Sequence, residues 1–121
     1  MKQAIVTGGA GGLGADVATR LDAAGYRVGV LDLTAEMVAA TAGNLSNGIG
    51  LVADVRDPVS IEQALADFGE TPDLLVNNAG IVRFGAFHEQ SVSDLRDVLE
   101  VNLLGSCCLL YTSDAADICS V

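Results

Sequence analysis

Thr7-Gly8-Gly9-Ala10-Gly11-Gly12-Leu13-Gly14 is the segment whose residue types say most about chemistry. Glycines at this density let a backbone turn tightly and approach a phosphate. The first turn of a helix adds N–H groups that lack intrahelical acceptors, together with the positive end of its dipole. Asp32 stands 18 residues after Gly14, close to the offset of about 20 at which a carboxylate accepts from the ribose hydroxyls of a dinucleotide. A carboxylate there repels a 2′-phosphate, and no Lys or Arg lies in the turn or beside Asp32. The pattern points to a dinucleotide held at its pyrophosphate, with NAD preferred over NADP.

These residues need elements to position them, and the hydrophobic pattern supplies four strand–helix units. Gln3–Val6 reads as a strand ending at the turn. Residues 12–24 read as a helix with Leu13, Val17 and Leu21 on one stripe, stopped by Gly25. Arg27–Leu31 is a second strand ending at Asp32, and Thr34 caps a helix through Ala42, which Gly43-Asn44 ends. Ile49–Ala53 is a third strand. Asp57-Pro58 opens a helix that buries Ile61, Leu65 and Phe68. Asp73–Val76 is a fourth strand running into Asn77-Asn78-Ala79-Gly80. Ser91 and Asp94 resemble a capping box before a last helix with the stripe Leu95, Val98, Leu99, Asn102, Leu103. Strands alternating with helices in this way predict an α/β fold with a parallel, doubly wound sheet.

The composition agrees. Half of the 121 residues are hydrophobic, ample for one core and incompatible with a disordered acidic tail. The net charge of −10 leaves no basic patch to neutralise phosphates, so nucleic acid is not expected as a partner. No apolar run reaches bilayer length, and the N-terminal apolar stretch breaks at Thr7-Gly8-Gly9, too early for a secretory segment. The expectation is a cytoplasmic protein without membrane or metal partners. The three cysteines, Cys107, Cys108 and Cys119, are odd in number and confined to the end of the chain, which suits neither disulfides nor zinc.

Taken together, these segments resemble the classical branch of the short-chain dehydrogenase/reductase family. The surplus glycines of the turn satisfy the spacing of both the classical branch and the extended, sugar-nucleotide branch. Asn77-Asn78-Ala79-Gly80 and Val101-Asn102-Leu103-Leu104-Gly105 resemble classical motifs, and Asp54-Val55 resembles the pair that contacts adenine. The resemblance implies a Rossmann-type sheet of strand order 3-2-1-4, cut after strand four and its following helix. Strand four (Leu74, Leu75, Val76) would then be an exposed apolar edge that drives association. It implies Gly8, Gly12, Leu13 and Gly14 at the pyrophosphate, and Asp32 with its neighbour Leu33 at the adenosine ribose. Asp54 and Val55 would meet the adenine, and Asn78, Ala79 and Gly80 the ribose side of the cofactor. Asn77 would tie strand four to its neighbours. Asn102 sits on an apolar stripe, where an unpaired amide costs about 1–3 kcal/mol. It reads either as a core Asn satisfied by nearby backbone or, by resemblance, as the holder of a water in a proton relay. Arg83, Phe84 and His88 follow the Asn77–Gly80 turn and are candidates for the border of the site.

The activity implied is hydride transfer between nicotinamide and the carbon of a secondary alcohol or ketone, in a parent that is a homo-oligomer. The family uses a Ser, a Tyr as general acid/base, and a Lys four residues later that lowers the Tyr pKa. Here Tyr111 is followed four positions on by Ala115, and Lys2 is the only lysine. The chain as written is therefore expected to show no turnover. Residues 108–117, Cys-Leu-Leu-Tyr-Thr-Ser-Asp-Ala-Ala-Asp, read as a translation of the transposase adapter used in sequencing libraries. On that reading residues 1–107 are the NAD-binding half of a domain and 108–121 a non-native tail. Two other functions fit the same residues: a non-catalytic dinucleotide-binding module, and an extended-branch epimerase or dehydratase, which Asn77-Asn78-Ala79-Gly80 disfavours.

Overall fold

The computed structural model describes residues 1–115 and 117–120. Its elements follow the alternation in the sequence: β1 (Gln3–Thr7), α1 (Gly12–Ala23), β2 (Arg27–Asp32), α2 (Ala35–Ala42), β3 (Gly48–Val52), α3 (Pro58–Phe68) and β4 (Leu74–Asn77). A short 3-10 turn at Phe87–Glu89 precedes α4 (Val92–Leu99), a π-helical segment at Glu100–Gly105, α5 (Ser106–Thr112) and β5 (Asp117–Ser120). The strands form one parallel sheet in the order β3-β2-β1-β4-β5. Order 3-2-1-4 is thus present, and the chain continues one strand further.

The helix starts are local chemistry. Thr34 Oγ1 accepts from Met37 N at 3.3 Å, and Asp57 Oδ1 from Val59 N at 3.1 Å with Pro58 next in the chain. Ser91 Oγ accepts from Asp94 N at 3.0 Å. Its expected reciprocal partner, the Asp94 carboxylate, instead reaches Arg83 Nε at 3.6 Å.

Side chains alternate across the sheet, so each face carries its own core. Ile5, Leu31, Leu51 and Leu75 pack with Ile61 and Phe68 of α3 and Leu109 of α5. Val6, Val28, Val30 and Val76 pack with Ala18 of α1 and Val38 of α2. Gly29 is required where the Phe68 ring crosses β2, since a Cβ there would lie 2.8 Å from Leu51 Cδ1 and 3.1 Å from the ring.

Four expectations change. First, Leu13 does not share a buried stripe with Val17 and Leu21: α1 approaches the sheet on Gly14 and Ala18, and Leu13 is 56% exposed. Small residues let the helix axis come close, which rotates the larger leucine outward. Second, the last helix is not one regular stripe. The π-helical turn at Glu100–Gly105 shifts the register, and Leu99 and Leu103 are exposed while Leu95 and Val98 are half-buried. Third, β4 is not an open edge, because Leu74–Asn77 pair with Asp117–Ser120. Hydrogen-bonding capacity on a strand edge recruits any extended neighbour, and the segment read as a tail fills that role. Ala116 and Val121, also in that segment, lie outside the described residues. Fourth, Asn77 ties β4 to β5 by its place in the strand register and not by its amide: the side chain is buried, and neither Nδ2 nor Oδ1 has a partner among the described residues.

Candidate functional site

In an open parallel sheet the strand C-termini and the following loops define a crevice. Here β1 ends at the Gly-rich turn, β2 at Asp32, β3 just before Asp54, and β4 at Asn77, so all four motifs meet at one edge. They surround a cleft of about 410 Å3, lined on one side by Gly8, Gly11, Asp32 and Leu33 and on the other by Asp54, Val55, Asn78, Ala79 and Gly80.

Thr7 organises this edge, and sequence reading had given it no role of its own. Its hydroxyl donates to Val76 O at 3.4 Å and accepts from Asn78 N at 3.1 Å and Ala79 N at 3.0 Å. The signal was its position as the last residue of an apolar strand, where a buried hydroxyl must find partners. Asn78 completes the join, donating through Nδ2 to Thr7 O and Gly8 O, each at 3.2 Å. The turn itself uses left-handed backbone at Gly8 (φ 63°) and Gly12 (φ 54°), which glycine adopts without strain. Gly14 is buried against the Gly8 carbonyl and Asn78 Nδ2, with no room for a Cβ. It contributes by close packing and does not line the cleft, nor do Gly12 and Leu13.

The turn fits an anionic group. Gly11, the N-cap of α1, provides no side-chain cap, so the first-turn amides have no side-chain acceptor. A Cβ at Gly11 or Gly12 would meet nothing within 4 Å, so the backbone faces open space. Asp32 is fixed beside it: Oδ2 accepts from Ala10 N at 3.1 Å and Oδ1 from Leu33 N at 2.9 Å. One lone pair on each oxygen remains for a ligand.

Across the cleft, Asp54 is chelated by Arg56, with Nη2 2.8 Å from Oδ2 and Nε 3.0 Å from Oδ1. The Arg56 side-chain hydrogen bonds hold the Asp54 carboxyl below its ordinary range, against a smaller opposing effect of burial. Arg83 also lines the cleft, whereas Phe84 and His88 point into solvent and do not. Arg56 was not anticipated, because two charged residues in a loop carry no signature until their geometry is known.

Asn102 lies outside the cleft, along a neighbouring apolar groove, and it is exposed rather than buried. Its amide is nevertheless satisfied by backbone: Oδ1 accepts from Ile81 N at 2.8 Å and Nδ2 donates to Ile81 O at 2.9 Å. Asn102 shares that groove with Leu95, Val98 and Leu99, and its amide reaches the segment that follows Gly80. No helix among the described residues is long and apolar enough to cross a membrane.

Residues 2–113 match the family described as short chain dehydrogenase. Among curated proteins, the chain is 37% identical over 113 residues to a D-threitol dehydrogenase of Mycolicibacterium smegmatis, covering 87% of this chain and 43% of that protein. It is 40% identical over 108 residues to the 3-oxoacyl-(acyl-carrier-protein) reductase FabG of Escherichia coli, covering 84% and 43%. A crystal structure of a 3-oxoacyl-(acyl-carrier protein) reductase from Brucella melitensis with bound NAD aligns with a TM-score of 0.88 at 28% identity, over 93% of this chain and 47% of that one. A short chain dehydrogenase from Burkholderia cenocepacia in complex with NADP aligns at 0.85 and 33%, over 93% and 49%. The chain therefore spans a little under half the length of these relatives. By this match over residues 2–113 and these identities, the protein belongs to the short-chain dehydrogenase family.

Proposed function

We propose that this chain is the cofactor-holding part of an NAD-preferring oxidoreductase that moves hydride between nicotinamide and the carbon of a secondary alcohol or ketone. The observation that carries the preference is Asp32. Its carboxylate is held at the cleft by Ala10 N and Leu33 N, keeps a free lone pair on each oxygen, and has Leu33 where a cation would receive a 2′-phosphate. The relatives hold NAD in one case and NADP in another, so family membership leaves the choice open and Asp32 is what supports NAD. Bound nicotinamide supplies the hydride acceptor or donor. The chain's own contribution is to receive the pyrophosphate at Gly8–Gly14, the adenosine ribose at Asp32 and the adenine beside Asp54 and Val55. Asn78, Ala79 and Gly80 then form the wall along the second ribose.

Asn102 belongs to this machinery as a positioning residue, since it fixes Ile81 and through it the end of the Asn78–Gly80 wall. The Tyr-x-x-x-Lys pair is absent from the sequence, so this chain binds cofactor without turning over an alcohol. The whole protein is read as a cytoplasmic homo-oligomer acting on a small alcohol or ketone. Titrating the purified chain with NADH and NADPH tests the proposal. Tighter NADH binding is expected, and Asp32→Ala should erase the difference; tighter NADPH binding by the unmodified chain would overturn the assignment.

A further inference from the structure

A threonine hydroxyl inside an α-helix commonly donates to the carbonyl four residues back. Thr19 and Thr112 do so: Thr19 Oγ1 donates to Ala15 O at 2.9 Å and Thr112 Oγ1 to Cys108 O at 2.7 Å. Thr41, in the last turn of α2, departs from this habit. Its Oγ1 donates to Ala10 O at 3.1 Å, across 31 residues of chain. Ala10 lies in the Gly-rich turn and is the one residue of Gly8–Gly12 that is not glycine. Its N–H is already held by Asp32 Oδ2 at 3.1 Å. Both polar groups of Ala10 are therefore tied, one to the end of β2 and the other to α2.

The carbonyl of Ala10 and the N–H of Gly11 belong to one planar trans peptide and point to opposite sides of it. The Thr41 bond thus also sets the direction of the Gly11 N–H, and Gly11 lines the cleft. Turning this peptide needs only the ψ of Ala10 and the φ of Gly11, and glycine offers that φ little resistance. Resting on the dinucleotide reading above, we infer that Thr41 is a positioning residue for the phosphate-receiving turn. It holds the Ala10–Gly11 peptide against α2, so the turn is ordered before a diphosphate arrives. A pre-ordered turn binds more tightly because no ordering cost falls on the binding step. Thr41 itself does not line the cleft and acts through Ala10. Asp32, by contrast, keeps its bond to Leu33 N whatever this peptide does. Adenosine, which carries the ribose and no phosphate, is accordingly insensitive to Thr41.

The test measures dissociation constants of ADP-ribose and of adenosine for the 121-residue chain, Thr41→Val, Thr41→Ala and Thr41→Ser. Losing the hydroxyl in Thr41→Val or Thr41→Ala should weaken ADP-ribose by about three- to tenfold, the worth of one hydrogen bond. Adenosine should stay within about twofold in every variant. Thr41→Ser, which keeps the hydroxyl, should restore ADP-ribose to within about twofold of the unmodified chain. Thermal melts accompany each titration, and Thr41→Ala provides a second hydroxyl-free chain should valine pack poorly against the turn. The inference is overturned if both hydroxyl-free variants bind ADP-ribose as the unmodified chain does, or if Thr41→Ser binds it as weakly as they do. It is overturned equally if ADP-ribose and adenosine weaken together, as a merely structural threonine would produce. An unmodified chain that binds neither ligand defeats the dinucleotide reading and this inference with it, a result distinct from any change among the variants.

Discussion

The sheet and its Gly-rich turn differ sharply from the arm that runs from Ile81 to Gly105. In the first region β1, β2 and β4 bury apolar side chains on both faces and β3 buries Leu51 on one, and Thr7 and Asn78 join the ends of β1 and β4. In the second, α4 has no buried residue, and Val82, Phe84, Phe87, Val92 and Leu99 are all exposed. Hydrophobic residues are plentiful in both regions. What differs is whether a second layer covers them, and a helix is held by tertiary packing of its apolar face more than by propensity. Polar links hold the arm to itself, Asn102 to Ile81 and Arg83 to Asp94 and Asp97, while the Asp97–Arg56 pair and the packing of Val101 and Gly105 join it to the rest.

The largest test of this contrast lies in the sheet. Phe68→Ala removes a side chain that is 1% exposed and touches β2 at Gly29. A loss of about 3–5 kcal/mol is expected, read as a lower denaturant midpoint and an early global melt. A loss under about 1 kcal/mol would mean that the sheet is no better packed than the arm. In the arm, Asn102→Ala deletes both bonds to Ile81. At an exposed site it should cost about 1 kcal/mol, with hydrogen exchange at the Ile81 amide accelerated while amides of β1 keep their protection. Loss of protection throughout would show that the two regions unfold as one. A smaller effect separates them by pH. Asp22, in α1, accepts from Ser46 N and Asn47 N, and these backbone bonds lower its pKa from the ordinary 3.8. A lowered folded-state pKa stabilises above the unfolded value and is lost as pH falls through the folded one. Asp22→Asn should therefore be less stable than the unmodified chain at neutral pH, with the gap closing below about pH 3.8. A gap independent of pH would remove the carboxylate from the account.

How much could be read in advance follows the range of the interactions. Asp57-Pro58, Thr34 and Ser91 each act on residues two or three positions away, and each caps its helix as read. The Gly-rich turn, Asp32 and Asn78-Ala79-Gly80 were recognisable because their spacing is fixed by the strand-to-helix geometry of a parallel sheet. Thr7 was legible only as a strand end, since its partners at Asn78 and Ala79 lie about seventy residues away. Leu13 was placed on the wrong face, whereas Asn102, read either as satisfied by nearby backbone or as the holder of a water, bonds the backbone of Ile81 beside Leu95, Val98 and Leu99. Periodicity marks a stripe on a helix, and neither the close approach at Gly14 nor the π-helical turn at Glu100–Gly105 leaves a mark in it.

The amino-acid sequence by itself determined the alternation of strands and helices, the caps, and the chemistry of a turn suited to phosphate, because these rest on bonds between near neighbours. Only the tertiary structure decided that Asp32 accepts from Ala10 N and Leu33 N while Asp54 is chelated by Arg56. It also decided that Asn102 serves Ile81 and that β4 is paired rather than bare. Each of these outcomes depends on which groups compete for the same lone pair or the same strand edge. That competition is settled by distances in three dimensions, which neither composition nor spacing specifies.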